Sequence, residues 1–386
     1  MRYNIVHFWL AVEYIRSGRL SSCQINEPIQ SPSSTTSQVH KVSMFCSLAL
    51  SLLSFLLAHP HLSATTPLPD PQTHDLRLIS AESVTTLYQF EFGSWLENIA
   101  IRPNGHILLT RLDVPQLWEV NPFSPSTSHD PRLVYTVDDP TVTGLAGIAE
   151  IAPDVFAVIA GNITDAAGTH GSFSIWKVAI DTQGNAVGAK VAAISEARFL
   201  NGMALLSSRD GGTILVGDHA QGLVYRVNME NGDHSVAIQD PAMRANPPPG
   251  FPVIGINGMK IQKGHLFFTN LFQGTLCKIP IDTRTGGSTG PVKVITTNVF
   301  GADDFALDSS GTPYVASFIS KQLVAVKPTG ELAIIADDLK SPTSAAFGRT
   351  AHDGKTIYVT TSGAIFNVTR AVPVEGGRVV AVKLKC

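Results

Sequence analysis

Charge is the first thing this sequence has little of. Lys, Arg, Asp and Glu make up 15% of its 386 residues, and the net charge is only −3. Nucleic-acid partners call for a basic stripe, which is absent, and no basic helix suggests binding to a membrane surface. Cysteine is scarce: Cys23, Cys46, Cys277 and Cys386 show no metal-type spacing and are too few for a disulfide framework. A G-x-S-x-G elbow, a P-loop, a dinucleotide fingerprint and H-E-x-x-H are all missing, so serine-hydrolase and nicotinamide chemistry have no support. Glycine (32) and proline (24) are plentiful instead. A chain that turns this often suits many short strands rather than long helices.

The longest apolar run near the N-terminus, Phe45 to Ala58, follows Lys41 and Met44 and precedes Leu62-Ser63-Ala64. It is shorter than the ~20 apolar residues needed to span a bilayer, and its layout suits a signal peptide; a membrane-anchored N-terminus is the alternative. The sequence therefore divides into an extension of doubtful status (1–43), a signal-like segment beginning at about Met44 (44–64), a Pro-rich linker (65–75) and a folded region (76–386). The expectation is a secreted monomer with no membrane contact in its mature form. Cleavage would remove Cys23 and Cys46 and leave Cys277 and Cys386, enough for one bridge at most. Asn162-Ile163-Thr164 and Asn367-Val368-Thr369 are glycosylation sequons, with Asn162 and Asn367 as acceptors.

Within the folded region one phrase of three short strands recurs. It is plainest at Ile256-Asn257-Gly258-Met259, His265 to Asn270 and Thr275 to Ile279. Equivalent phrases open at Leu96, Leu145, Leu200, Ala302 and Pro342, with starts about 40 to 56 residues apart, the spacing of propeller blades. Six units predict an all-β fold, a six-bladed β-propeller with four-stranded antiparallel blades, in which residues 76–93 supply the outer strand of the last blade. A β-sandwich would not repeat the phrase six times.

In a propeller the first strand of each blade lines the axial channel. First-strand starts and second-strand ends then share one face of the disc. Glu97, Asn201, Asn257 and Asp303 thereby converge on the channel mouth from four blades. These side chains offer a metal only oxygen, the donor that hard cations such as Ca²⁺ or Mg²⁺ prefer, so one divalent cation and no organic cofactor is expected. Ordinary turn chemistry accounts for a single Asn-Gly, but less readily for four equivalent oxygen side chains. Second-strand ends add Arg111, Asp218, His219 and Asn270. Trp95, Phe199, Phe251, Phe272, Phe300 and Phe318 flank the entrances. Each aromatic taken alone is more often core than pocket, and His219 is as readily a structural histidine as an acid or base.

The phrases Leu200-Asn201-Gly202-Met203, Ile256-Asn257-Gly258-Met259 and Ala302-Asp303-Asp304-Phe305, with Glu97, resemble the SMP-30/gluconolactonase/LRE-like family over roughly Leu87 to Leu384. The resemblance implies one cation in the channel, activating water against a lactone or ester. Glu97, Asn257 and Asp303 would be ligands, Asp303 also a general base, and Asn201 a ligand or substrate-positioning residue. Two departures stand out: Glu97 is followed by Asn98 rather than Gly-Pro, and Asp303 by Asp304 rather than Gly. Asp304 would replace Asp303 if the strand start were shifted by one residue. Glu97 to Ala100 and Thr110 to Pro115 are similar to phrases of fungal secreted-type members. These include hetero-Diels–Alderases of secondary metabolism, which join a tropolone-derived o-quinone methide to the sesquiterpene humulene.

Three functional classes follow. The first is a pericyclic cyclase acting on small hydrophobic metabolites. It would use Asp303, Asp218, His219 and Arg111 for chemistry, and Trp95, Asn201, Phe251, Asn270 and Phe272 for binding. The second is a metal-dependent lactonase or esterase built on Glu97, Asn201, Asn257 and Asp303. The third, a scaffold without chemistry, ranks last because oxygen ligands line the mouth. Chelation separates the first two, since a shape-driven cycloaddition survives it.

Overall fold

The computed structural model describes residues 80–125, 130–164, 167–209, 211–247, 250–367 and 370–385. The signal-like segment, the linker, Cys23, Cys46 and Cys386 lie outside the described residues. Six four-stranded antiparallel sheets form a six-bladed propeller. Blade 1 runs outward from Leu96–Ile101 through Ile107–Arg111 and Gln116–Val120 to Arg132–Thr136. The inner strands of blades 2 to 6 are Gly144–Ala152, Leu200–Ser207, Ile256–Gln262, Ala302–Leu307 and Pro342–Phe347. Each inner strand contacts the next, and the sixth contacts the first, so the ring closes. The outer strand of blade 6 is Ala81–Gln89, paired antiparallel with the C-terminal strand Arg378–Leu384. The N-terminal strand thus fastens the last blade to the first.

Both faces of every blade are covered, because strand side chains alternate and each sheet is stacked between two neighbours. The core is accordingly divided into six apolar clusters, one for each pair of adjacent blades. Leu108 and Leu117 of blade 1, for instance, meet Phe156 and Val158 of blade 2. Cys277 is fully buried in the cluster between blades 3 and 4.

Two features of the inner strands prepare the site. Every one of the six carries a bulge at the same place, just after its first residue or two. A bulge re-aims side chains without ending the ladder. Glycine then lets neighbouring inner strands approach: a Cβ on Gly202 would lie 1.9 Å from the Asn257 carbonyl oxygen, and one on Gly147 2.1 Å from that of Asn201. Close approach of backbones is why these positions carry no side chain.

Threonine hydroxyls tie three of the blades to the inner strand of the next. Thr110 Oγ1 donates to the Ala146 carbonyl at 2.6 Å, Thr343 Oγ1 to that of Leu96 at 2.7 Å, and Thr269 Oγ1 to that of Asp303. Thr110 is fully buried, and its valine replacement would leave that carbonyl and the Asn98 N–H without their partner. Thr110→Val is therefore expected to cost about 1–3 kcal/mol in urea unfolding with an unchanged m-value.

Candidate active site

The bulged strand starts bring Glu97, Asn201, Asn257 and Asp303 to the floor of one cavity of about 120 Å³ at the channel mouth. All four are buried. Glu97 Oε1 accepts from Asn201 Nδ2 at 2.9 Å and Oε2 from Trp95 Nε1 at 2.7 Å. The Asn257 amide hydrogen-bonds Asp303, while Asn257 Oδ1 is buried without a donor. Burial pushes Glu97 up to about 7, with the charge of Asp304 adding to the shift and the Asn201 and Trp95 hydrogen bonds opposing it. Burial, then Glu97 and Asp304, push Asp303 well above the usual carboxylate range. Two acids sharing a dry site cannot both ionise cheaply, so the pair retains a proton near neutral pH.

Aromatic and aliphatic side chains form the walls. Trp95 and Phe318 stack at 5.7 Å between ring centroids, and Leu112, Phe199, Pro252, Ile254 and Leu271 continue the walls with His219. His219 packs 4.1 Å from the Phe199 ring, and its Nδ1 is buried without a partner. Desolvation pulls its pKa down to about 4 in spite of the neighbouring Asp218 carboxylate, so the imidazole is neutral.

Two small hairpins supply the remaining lining. One, Ile163–Thr164 with Ala167–Gly168, is inserted between the second and third strands of blade 2 and contributes Ala167. The other, Ala364–Asn367 with Arg370–Pro373, occupies the equivalent place in blade 6 and contributes Phe366, Arg370 and Ala371. Both candidate glycosylation sequons overlap these hairpins; Asn162 is half-buried, and its backbone N–H donates to Ser172 Oγ. Sequence reasoning missed the hairpin lining. Its signal was the long interval before the third strand in blades 2 and 6. Clefts of about 510 and 570 Å³ adjoin the cavity and share Trp95, Leu112 and Arg370 on one side and Phe199, His219 and Ile254 on the other.

Several sequence candidates stand elsewhere. Asp218 is fully buried and accepts from the backbone N–H groups of Arg198, Phe199, Ala220 and Gln221 and from Gln221 Nε2, so it organises a loop. Arg111 is held by Glu91 and Asp113 and lies over Phe90, away from the cavity. Asn270 donates to the carbonyls of Ala242 and Arg244. Phe251 and Phe272 touch each other and Phe366, backing the wall without lining it. Phe300 is 49% exposed.

The departures noted at Asn98 and Asp304 acquire a place below the floor. Lys260 Nζ lies 2.6 and 2.8 Å from the Asp304 oxygens, Ser344 Oγ donates to Asp304 at 2.9 Å, and Asn98 Oδ1 accepts from the Ile99 N–H at 2.9 Å. These groups stand between the site and the opposite channel mouth, a cavity of about 450 Å³ that Lys260 lines. Asp303, not Asp304, faces the upper cavity.

No family model matches the chain. It is similar to two fungal proteins named as candidate hetero-Diels-Alderases. The one from a Phoma species is 28% identical, over 71% of this chain and 85% of the relative. The one from Sarocladium schorii is 28% identical, over 72% and 78%. Among solved structures, a luciferin-regenerating enzyme superposes with a TM-score of 0.54 at 13% identity, covering 78% of this chain and 95% of its own. The calcium-binding protein regucalcin from Agrobacterium tumefaciens superposes with a TM-score of 0.52 at 16% identity, covering 78% and 94%. At that identity the likeness shows the shared propeller fold.

Proposed function

We propose that this chain is a cyclase of fungal small-molecule biosynthesis that closes a hetero-Diels–Alder ring in its axial cavity, joining a tropolone-derived o-quinone methide to a sesquiterpene such as humulene. The relatives' names support the reaction class. The observation that carries the reading is an apolar, aromatic-walled chamber set over a floor of two carboxyl groups that hold a proton near neutral pH. Such a floor suits formation of the diene. The carboxyl proton passes to a hydroxymethyl oxygen, the C–O bond breaks to release water, and the ring hydroxyl returns a proton to the carboxylate, leaving the o-quinone methide. Ring closure then forms one C–C and one C–O bond with no proton moved. There the walls contribute by holding the two reactants face to face. Pockets for drug-sized ligands measure ~300–1,000 Å³, so two reactants would also need the adjoining clefts.

A second reading is favoured by one observation, the unpartnered Asn257 Oδ1 beside two mutually repelling carboxyl groups. Among the described residues no three His, Cys, Asp or Glu side chains cluster as a metal centre, so the carboxamides would have to complete a ligand set. Glu97, Asn257 and Asp303, with Asn201, suit a hard divalent cation. Bound there, such a cation would polarise a lactone or ester carbonyl. Asp303 would then serve as base and the aromatic walls would hold the acyl portion.

One assay separates the two. The purified protein is given a hydroxymethyl tropolone and humulene, or a lactone panel, with and without EDTA. The cyclase reading expects adduct above the spontaneous yield at undiminished rate in EDTA. Lactone hydrolysis that EDTA abolishes, with no adduct formed, would overturn it.

A further inference from the structure

We propose that Arg370 and His219 act together on one ligand, from the roof and the wall of the cavity, to select a planar substrate that carries an oxyanion and to set it with its charge toward the mouth. This names the substrate class for the chamber and rests on reading that chamber as the site of cyclisation. Arg370 begins the returning strand of the blade 6 hairpin and lines both the axial cavity and an adjoining cleft. Among the described residues its guanidinium has no hydrogen bond or ion pair, unlike that of Arg111, which its own carboxylates occupy. A planar guanidinium free to meet a ligand suits a carboxylate or enolate.

His219 supplies the second donor. Its Nδ1 is sealed from the cavity and unpaired, which leaves Nε2 as the ring nitrogen able to meet a ligand. A neutral imidazole must place its one proton on one of the two nitrogens. A sealed N–H without an acceptor costs more than a sealed lone pair beside apolar neighbours such as Phe199. The proton therefore sits on Nε2, and His219 offers the cavity an N–H.

The flat Trp95–Phe318 stack gives an unsaturated ring a face to lie on. Glu97 and Asp303 below repel an anion, and Arg370 above attracts it, so the charge has one favourable orientation. The electron-rich end then lies at the mouth and the reacting end over the acids. The sequence placed Arg111 among the groups for chemistry; Arg370 is the arginine that lines the cavity.

Calorimetric titration with benzoate and its neutral isostere benzamide tests the assignment. Wild type is expected to bind benzoate about tenfold or more tighter than benzamide, as a charge-assisted pair should. Arg370→Gln is expected to bring benzoate down to the benzamide level, with Arg370→Lys intermediate because it keeps the charge and loses the fork. His219→Phe, which retains a ring against Phe199, is expected to weaken both ligands about tenfold, since both present a carbonyl oxygen. Arg370 is exposed, so its variants should melt with wild type; melting curves check the His219 variant. Equal affinities in wild type, discrimination that persists in Arg370→Gln, or unchanged binding in His219→Phe overturns the proposal. Turnover is measured separately. Adduct formation by a protein that does not discriminate the probes would sink only the recognition, and discrimination without adduct would sink only the cyclase reading.

Discussion

Glu97→Gln is expected to lower the rate of cyclisation about a hundredfold at pH 6, the scale on which a positioned general acid contributes. Glutamine preserves the shape and can still accept from Asn201 or Trp95, but it has no proton to give. The sign of the pH dependence follows from the shift at Glu97. Its pKa stands near 7, so the proton-donating form is present below that pH and is lost as pH rises through it. Wild-type turnover should fall above pH 7, and the residual rate of the variant should be flat. The cation-dependent reading predicts the opposite slope, because ionised carboxylates bind the metal better. A rate that rises between pH 6 and 8 would therefore remove the acid role. The same shift, upward from 4.5, makes the folded state lose stability as pH rises from there toward 7, a slope that the glutamine variant should lack.

Lys260→Met is expected to lower unfolding stability by about 3 kcal/mol, because breaking a buried ion pair strands its other charge. Asp304 is 4% exposed and would face Glu97 and Asp303 with only Ser344 and the Phe305 N–H as donors. Lys260 is itself 32% exposed, so solvent screens part of the pair and the expected loss sits at the lower end of the range. Adding Asp304→Asn to Lys260→Met should recover most of the loss. Urea titration of the single and double variants measures this. If the double variant is as unstable as Lys260→Met alone, the lysine acts through its ammonium over the Phe305 ring and not through Asp304.

The floor of the site is legible in the amino-acid order because it obeys the repeat. Asn201 and Asn257 hold the same place in the same phrase, and closing the ring makes equivalent places neighbours. Asp218, Asn270 and Arg111 also occupy repeat-equivalent positions, at the ends of second strands, yet none lines the cavity. Sequence position tells which face of the disc a Cα lies on. It does not tell whether a carboxylate turns inward to hold backbone N–H groups, as that of Asp218 does. Phe366 and Arg370 are hidden for the converse reason: they sit in a hairpin that interrupts the repeat, where periodicity carries no information.

By itself the sequence determined six blades, the outer strand recovered from the N-terminal side, the face on which the oxygen-bearing side chains emerge, and their identity. These follow from local periodicity and turn chemistry and from the recurrence of one phrase along the chain, all of which the amino-acid order contains. Tertiary structure alone decided that Asp303 rather than Asp304 faces the upper cavity, that Lys260 answers Asp304 below, and that two hairpins from blades 2 and 6 line the mouth. Each of those depends on a bulge re-aiming a side chain, or on groups more than forty residues apart meeting in a water-poor channel. Charge and burial there are properties of the assembled ring, and no single blade possesses them.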